Sequence, residues 1–206
     1  MLNLPAFLPA LERTQINALY ASSQPFLRIT GFNRCDWRRN AHDKRAGPWR
    51  YEAVYEVLDH SVWKSSGEVL YFLVDADQRL KLVGESGTRL GQRWRISPMH
   101  RVEDNAFLGK RGLFHSSAFS MLQTAFESGQ TPLYTVSAIF RPQIDRLAHE
   151  LGGPLYRATL SPEKPNKVAK NVERWICQLL GRDHLWNIAD TPAGAPDMES
   201  ENRVRF

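Results

Sequence analysis

Cysteine is scarce in this chain of 206 residues. The two present, Cys35 and Cys177, lie far apart and no CxxC accompanies either. That argues against a disulfide scaffold and against a thiolate zinc site. Long apolar runs are missing as well: nothing approaches the roughly 20 residues needed to span a bilayer. The opening Met1-Leu2-Asn3-Leu4-Pro5 has no basic region and breaks at prolines, so no secretory leader is read there. The expectation is a cytoplasmic chain without a membrane partner. The common catalytic spacings are absent too. There is no GxSxG, His149-Glu150 is not completed to HExxH, and Gly87, Gly91 and Gly109 form neither GxGxxG nor a P-loop. No small-molecule cofactor is expected, and no internal repeat is visible.

What is present fits a globular chain. The apolar fraction of 42% and charged fraction of 24% are ordinary, and the length allows a real core without covalent staples. The net charge is +5, with a pI near 9.4. Its distribution is more informative than its size. Seven basic residues and two acidic ones lie between Arg28 and Arg50, a surplus equal to that of the whole chain. Arg34, Arg38, Arg39, Lys44 and Arg45, with Trp37 among them, are the pattern expected where cations neutralise phosphates and rings stack on bases. The alternative is a solvated loop whose tryptophans pack inward.

Phe7–Tyr20 places apolar residues on an approximate helical face, entered through Pro5 and Pro9. Pro25–Phe32 reads as a short strand, and Arg50–Leu58 fits helix or strand equally. Ser65-Ser66-Gly67 marks a boundary. Val69–Val74 has the length of a buried strand, Asp75–Gln78 carries turn chemistry, and Leu80–Val83 restores alternation. Gly84 then suits a tight backbone turn, and Ser86 or Thr88 can cap a helix carrying Arg93. Pro98 should end that helix. Met99–Gly112 looks like an inserted loop, Leu113–Glu127 like a helix, and Leu133–Phe140 like a third strand. Pro142–Leu151 and Val168–Leu180 read as helices, and the tail beyond residue 190 has the composition of a disordered end.

Within this order, "VLY" at Val69-Leu70-Tyr71, "LVG" at Leu82-Val83-Gly84, "GTRLGQRW" at 87–94 and "ERWICQLLGRDHLWN" at 173–187 stand in sequence. The chain here resembles the GIY-YIG nuclease family: VLY stands where the family has GIY, LVG where it has YIG. The arginine helix follows, then a third strand, a glutamate helix and an asparagine. The resemblance covers about Gly67 to Asn187, with one insertion near 97–112. It implies an α/β (α+β) fold: a small, mainly antiparallel three-stranded sheet flanked by helices. Residues 1–66 would be an N-terminal elaboration, 67–190 the nuclease-like core and 191–206 a flexible tail.

The resemblance also implies roles. Tyr71 would accept or orient the attacking water's proton, helped by a cation because a phenol near pKa 10 is a poor base. Arg93 would hold the scissile phosphate through its planar fork. Glu173 would hold Mg²⁺ or Mn²⁺, for which one carboxylate suffices if water and phosphate complete the shell. Asn187 would orient the glutamate end of the site, or merely close a helix. Arg89, Arg95, Lys110 and Arg111 would add DNA contacts. Two departures stand out: Leu82 replaces the YIG tyrosine, and Ser97 stands where many relatives carry a histidine, leaving His100 as a candidate proton carrier. The implied activity is metal-dependent hydrolysis of double-stranded DNA, as in restriction or phage defence. A homodimer would cut both strands, through Leu8–Tyr20 or Leu113–Glu127. The alternative is a catalytically degenerate DNA- or RNA-binding or regulatory module on the same scaffold.

Overall fold

In this computed structural model the described residues are 1–34, 51–94, 133–162 and 164–187, with 121, 124, 125 and 128. Along them the chain runs α1 (Ala10–Ala21), β1 (Gln24–Arg34), β2 (Tyr51–Val57), α2 (His60–Lys64), β3 (Val69–Asp75), β4 (Leu80–Ser86), α3 (Leu90–Arg93), β5 (Tyr134–Phe140), α4 (Arg141–Leu151), α5 (Gly153–Thr159) and α6 (Val168–Leu180). The strands form one sheet in the order β2-β1-β5-β3-β4, and every neighbouring pair is antiparallel. The α/β class and the helix-flanked antiparallel sheet agree with expectation. The strand number does not.

The three expected strands are present as β5-β3-β4, but the sheet has five. A central strand has two edges, and β3 satisfies only one edge of β5. The other edge carries backbone donors and acceptors that must find partners. β1 supplies them, with Leu27 opposite Val136 and Ile29 opposite Tyr134, and β2 pairs onto β1 in turn. The segment that fitted helix or strand is therefore a strand, joined to the sheet through the N-terminal part of the chain.

Val69–Val74 shows no polar alternation because both faces of β3 are covered. Leu70, Phe72 and Val74 point into a core shared with Ile16 and Leu19 of α1, Ile144 of α4, Leu155 of α5, and Val172 and Ile176 of α6. Val69, Tyr71 and Leu73 belong to the opposite core, with Val62 of α2, Leu90 of α3, Trp94, Leu82 and Val136. Alternate residues of one strand thus serve two separate apolar layers.

Polar pins fix the layers. Gln15, fully buried on α1, donates from Nε2 to the Gly152 carbonyl at 2.8 Å and accepts from the Leu155 amide at 3.1 Å. Glu68, just before β3, accepts from the Ala169 amide at 2.8 Å in the first turn of α6 and pairs with Arg141 Nη1 at 3.1 Å. A carboxylate placed there satisfies a helix-end donor and complements the helix dipole. At the outer edge of β4, the Trp186 amide donates to the Lys81 carbonyl at 2.7 Å. The Asn187 side chain engages both backbone groups of Val83.

Of the helix expected over Leu113–Glu127, residues 121, 124 and 125 are helical, and most of the rest lies outside the described residues. The insertion near 97–112 and the tail at 191–206 lie wholly outside them. No helix among the described residues is long and apolar enough to cross a membrane.

Candidate functional site

The site begins with a strand pair. Tyr71 of β3 lies opposite Gly84 of β4 and, on its other side, Ala138 of β5. Both neighbours are small, and the phenol uses the space. A Cβ at Gly84 would stand 2.5 Å from Tyr71 Cε2 and closer still to Cζ and the hydroxyl. Gly84 was expected to make a turn. It lies inside β4 instead, without a positive φ, and the aromatic ring above it is what demands glycine. The sharp turn comes later, where the Thr88 amide donates to Ser86 Oγ at 3.2 Å and the two hydroxyls lie 3.2 Å apart. Neither residue caps α3, whose N-cap is Arg89 without a side-chain bond.

That turn returns the chain over Tyr71. Leu90 and Trp94 are fully buried and anchor α3 to the sheet. Gly91 lets α3 approach α2, since a Cβ there would meet the Trp63 indole nitrogen at 2.7 Å. The Trp94 ring meets Tyr71 edge-on, with centroids 5.2 Å apart. Between these two apolar anchors, exposed Arg93 places its guanidinium on the phenol, and Nε donates to the Tyr71 hydroxyl at 3.2 Å.

Glu173 comes from α6, which packs on the sheet face opposite the Tyr71 core, yet its carboxylate acts on the same phenol. Burial pushes the Tyr71 hydroxyl up to about 12. Arg93 opposes that rise by charge and by hydrogen bonding, whereas Glu173 and Glu85 add to it. The order of these effects decides the protonation state: desolvation outweighs the guanidinium. In the free protein the Tyr71 hydroxyl stays protonated at neutral pH, which weighs against its serving there as the water's base. Glu173 is itself 7% exposed, and its Oε2 pairs with Lys170 Nζ one turn earlier at 2.7 Å.

The expected residues are distributed as follows. Arg93 is bonded to Tyr71, and Glu173 acts on the same phenol through its charge. Asn187 sits on the backbone of Val83, the residue before Gly84, where it secures the β4 edge. Arg89 is exposed at the entrance to α3. Leu82 is buried in the Tyr71 core. Arg34 ends β1, with its backbone paired to Tyr51. Trp37, Arg38, Arg39, Lys44, Arg45, Arg95, His100, Lys110 and Arg111 lie outside the described residues.

Sequence reasoning missed Lys170, Glu85 and Trp94. Lys170 stands three residues before Glu173, a spacing that brings side chains together on a helix. Glu85 follows the glycine beneath the phenol.

A hard divalent ion prefers oxygen donors and keeps several waters, so it needs only one or two protein carboxylates. Glu173 and Glu85 both act on the Tyr71 phenol through their charge. Among the described residues no group of three or more His, Cys, Asp or Glu side chains forms a preassembled metal cage. An Mg²⁺ or Mn²⁺ ion at Glu173 would therefore have to be held mainly by water and substrate oxygens. Comparison of the chain with protein-family models, with curated proteins and with solved structures found no match in any of the three.

Proposed function

We propose that the chain is a divergent GIY-YIG-type endonuclease that hydrolyses DNA phosphodiester bonds at the Tyr71–Arg93–Glu173 cluster. The observation that carries this reading is the bond from Arg93 Nε to the Tyr71 hydroxyl at 3.2 Å above Gly84, on a phenol that also feels the charge of Glu173.

Arg93 grips the scissile phosphate. Its position at the exposed end of α3 suits that task, and its planar fork can serve the phenol and phosphate oxygens together. Tyr71 is a positioning residue: buried beneath the guanidinium, it fixes the plane of the fork. Glu173 would hold the divalent ion, which would supply Lewis-acid stabilisation of the phosphate. A water oxygen then attacks phosphorus, the bond to the leaving sugar oxygen breaks, and that oxygen takes up a proton. The basic stretch at 34–45 provides sequence-independent attraction to the duplex.

Plasmid DNA incubated with the protein and Mg²⁺ or Mn²⁺ tests the reading. Arg93→Ala and Glu173→Ala should each lower the cleavage rate by about 100-fold or more, the usual scale for losing a charge-stabilising group. Tyr71→Phe should cost less, because the ring still supports α3.

The second reading, a binding module that does not cut, draws support from Leu82, which removes the second phenol, and from the Lys170 pairing at Glu173. It predicts gel-shifted DNA that stays intact across metals and across a panel of sequences, with Glu173→Ala binding as well as wild type.

A further inference from the structure

Between α5 and α6 lies a groove of about 470 Å³, whose lining includes Glu12, Arg157, Asn171, Arg174, Trp175 and Gln178. Neither Tyr71, Arg93 nor Glu173 borders it. On α6 the lining residues fall at 171, 174, 175 and 178, the spacing of one helical face. Asn171 is 3% exposed. Its Nδ2 donates to the Lys164 carbonyl at 3.0 Å, which occupies one end of the amide. The other end, Oδ1, is buried and has no hydrogen-bond partner. A carbonyl oxygen withdrawn from water needs an N–H or O–H, and the groove gives a ligand access to Asn171. Beside it stand two guanidinium groups, one from each helix, an indole ring and a carboxylate from α1.

We propose that this groove binds a nucleotide, independently of any chemistry at Tyr71. The base lies against Trp175 and donates an N–H of its pairing edge to Asn171 Oδ1. Arg157 and Arg174 meet the phosphate through charge-assisted bonds, and Glu12 accepts from a sugar hydroxyl. A bare phosphate would leave Asn171 without a donor, and a neutral planar amide would leave the arginines unused. A nucleotide supplies the donor, the flat ring and the anion in one molecule. The groove also has the volume of a small-ligand site, for which about 300–1,000 Å³ is usual. A free nucleotide and the phosphorylated end of a DNA strand present the same groups.

Isothermal titration calorimetry of the full chain with adenosine 5′-monophosphate, in the absence of metal, tests this. Adenosine and ribose 5-phosphate supply its two halves separately. The nucleotide should bind at least about tenfold more tightly than either half, the scale of one lost charge-assisted bond or one lost stacking contact. Arg157 is exposed, so Arg157→Glu should fold, as circular dichroism would verify; Arg157→Gln replaces it otherwise. Either variant should weaken the nucleotide by at least about tenfold. No binding up to millimolar nucleotide overturns the proposal. Equal affinity for ribose 5-phosphate overturns it too, since the groove would then hold phosphate alone. Undiminished binding by the Arg157 variant places the nucleotide elsewhere and also overturns it. A 5′-phosphorylated oligonucleotide that binds more tightly than the nucleotide, and loses that advantage in the Arg157 variant, supports the proposal with a strand end as the source. Equal affinity of the two supports it with the free nucleotide. None of these measurements involves cleavage, so the proposal and the endonuclease reading fail separately.

Discussion

Tyr71 contributes to stability in a way that depends on pH. Its folded-state value of about 12 lies above the ordinary 10.0. The native protein therefore holds the phenolic proton more tightly than the unfolded chain does. The stabilisation is fully present below pH 10 and is lost as pH rises toward 12. A gap of two units corresponds to about 3 kcal/mol at most. Urea unfolding at pH 9 and pH 11 should show a smaller loss of stability for Tyr71→Phe than for wild type; equal losses would place the phenol in water. Gly84→Ala forces a methyl into the same ring and should cost about 1–3 kcal/mol. Gly87→Ala, which meets nothing within 4 Å, is the matched control. Both follow from chemical denaturation midpoints. The sequence motif pointed to Tyr71, Arg93 and Glu173 as partners; Arg93 meets Tyr71 directly, and Glu173 acts on the phenol through its charge. It could not expose Lys170, because a lysine three residues before a glutamate is ordinary on any helix and only burial makes this one matter. Nor could it show why Gly84 is glycine: the ring that excludes a Cβ belongs to another strand.

At the level of elements, the clearest signals were the longest ones. Val168–Leu180 appears as a helix with the expected bounds, and β3 and β4 appear where apolar runs and the Asp75 turn placed them. Asp75 Oδ1 accepts from the Asp77 amide at 3.0 Å and the Arg79 amide at 2.9 Å, so that turn is encoded locally. The short helix α2 was not foreseen. Five residues cannot hold a helix alone. This one depends on Asp59, which accepts from the Ser61 and Val62 amides at 2.7 and 3.0 Å, and on Val62 buried against the sheet. β2 was ambiguous for the same reason, since its pairing with β1 spans a long separation that no local pattern records. The β4 edge yields a prediction of its own. Asn187→Ala removes both side-chain bonds to Val83 and should cost about 1–3 kcal/mol. Amide exchange at Val83 should accelerate while that at Leu73, deep in β3, changes less. Unchanged protection at Val83 would mean that the edge is held by other groups.

For the whole molecule, charge makes the sharpest forecast. DNA affinity measured by fluorescence anisotropy between 50 and 200 mM salt should fall steeply, since phosphate contacts release counterions. Replacing Arg38, Arg39, Lys44 and Arg45 with alanine should flatten the log–log slope by about 3.6 if all four reach phosphates. An unchanged slope would assign the basic stretch to solvent.

Strand order bears on how the protein comes into being. β5 joins the β1–β2 pair to the β3–β4 pair, yet it is the last of the five strands in the chain. During synthesis the ribosome releases two hairpins that cannot meet until residues 134–140 emerge, and an isolated hairpin is barely stable in water. Glu173 leaves the tunnel later still. A nascent chain carrying Tyr71 and Arg93 therefore has no completed sheet to hold them, and the bond between the two gains its finished scaffold only after β5 has emerged.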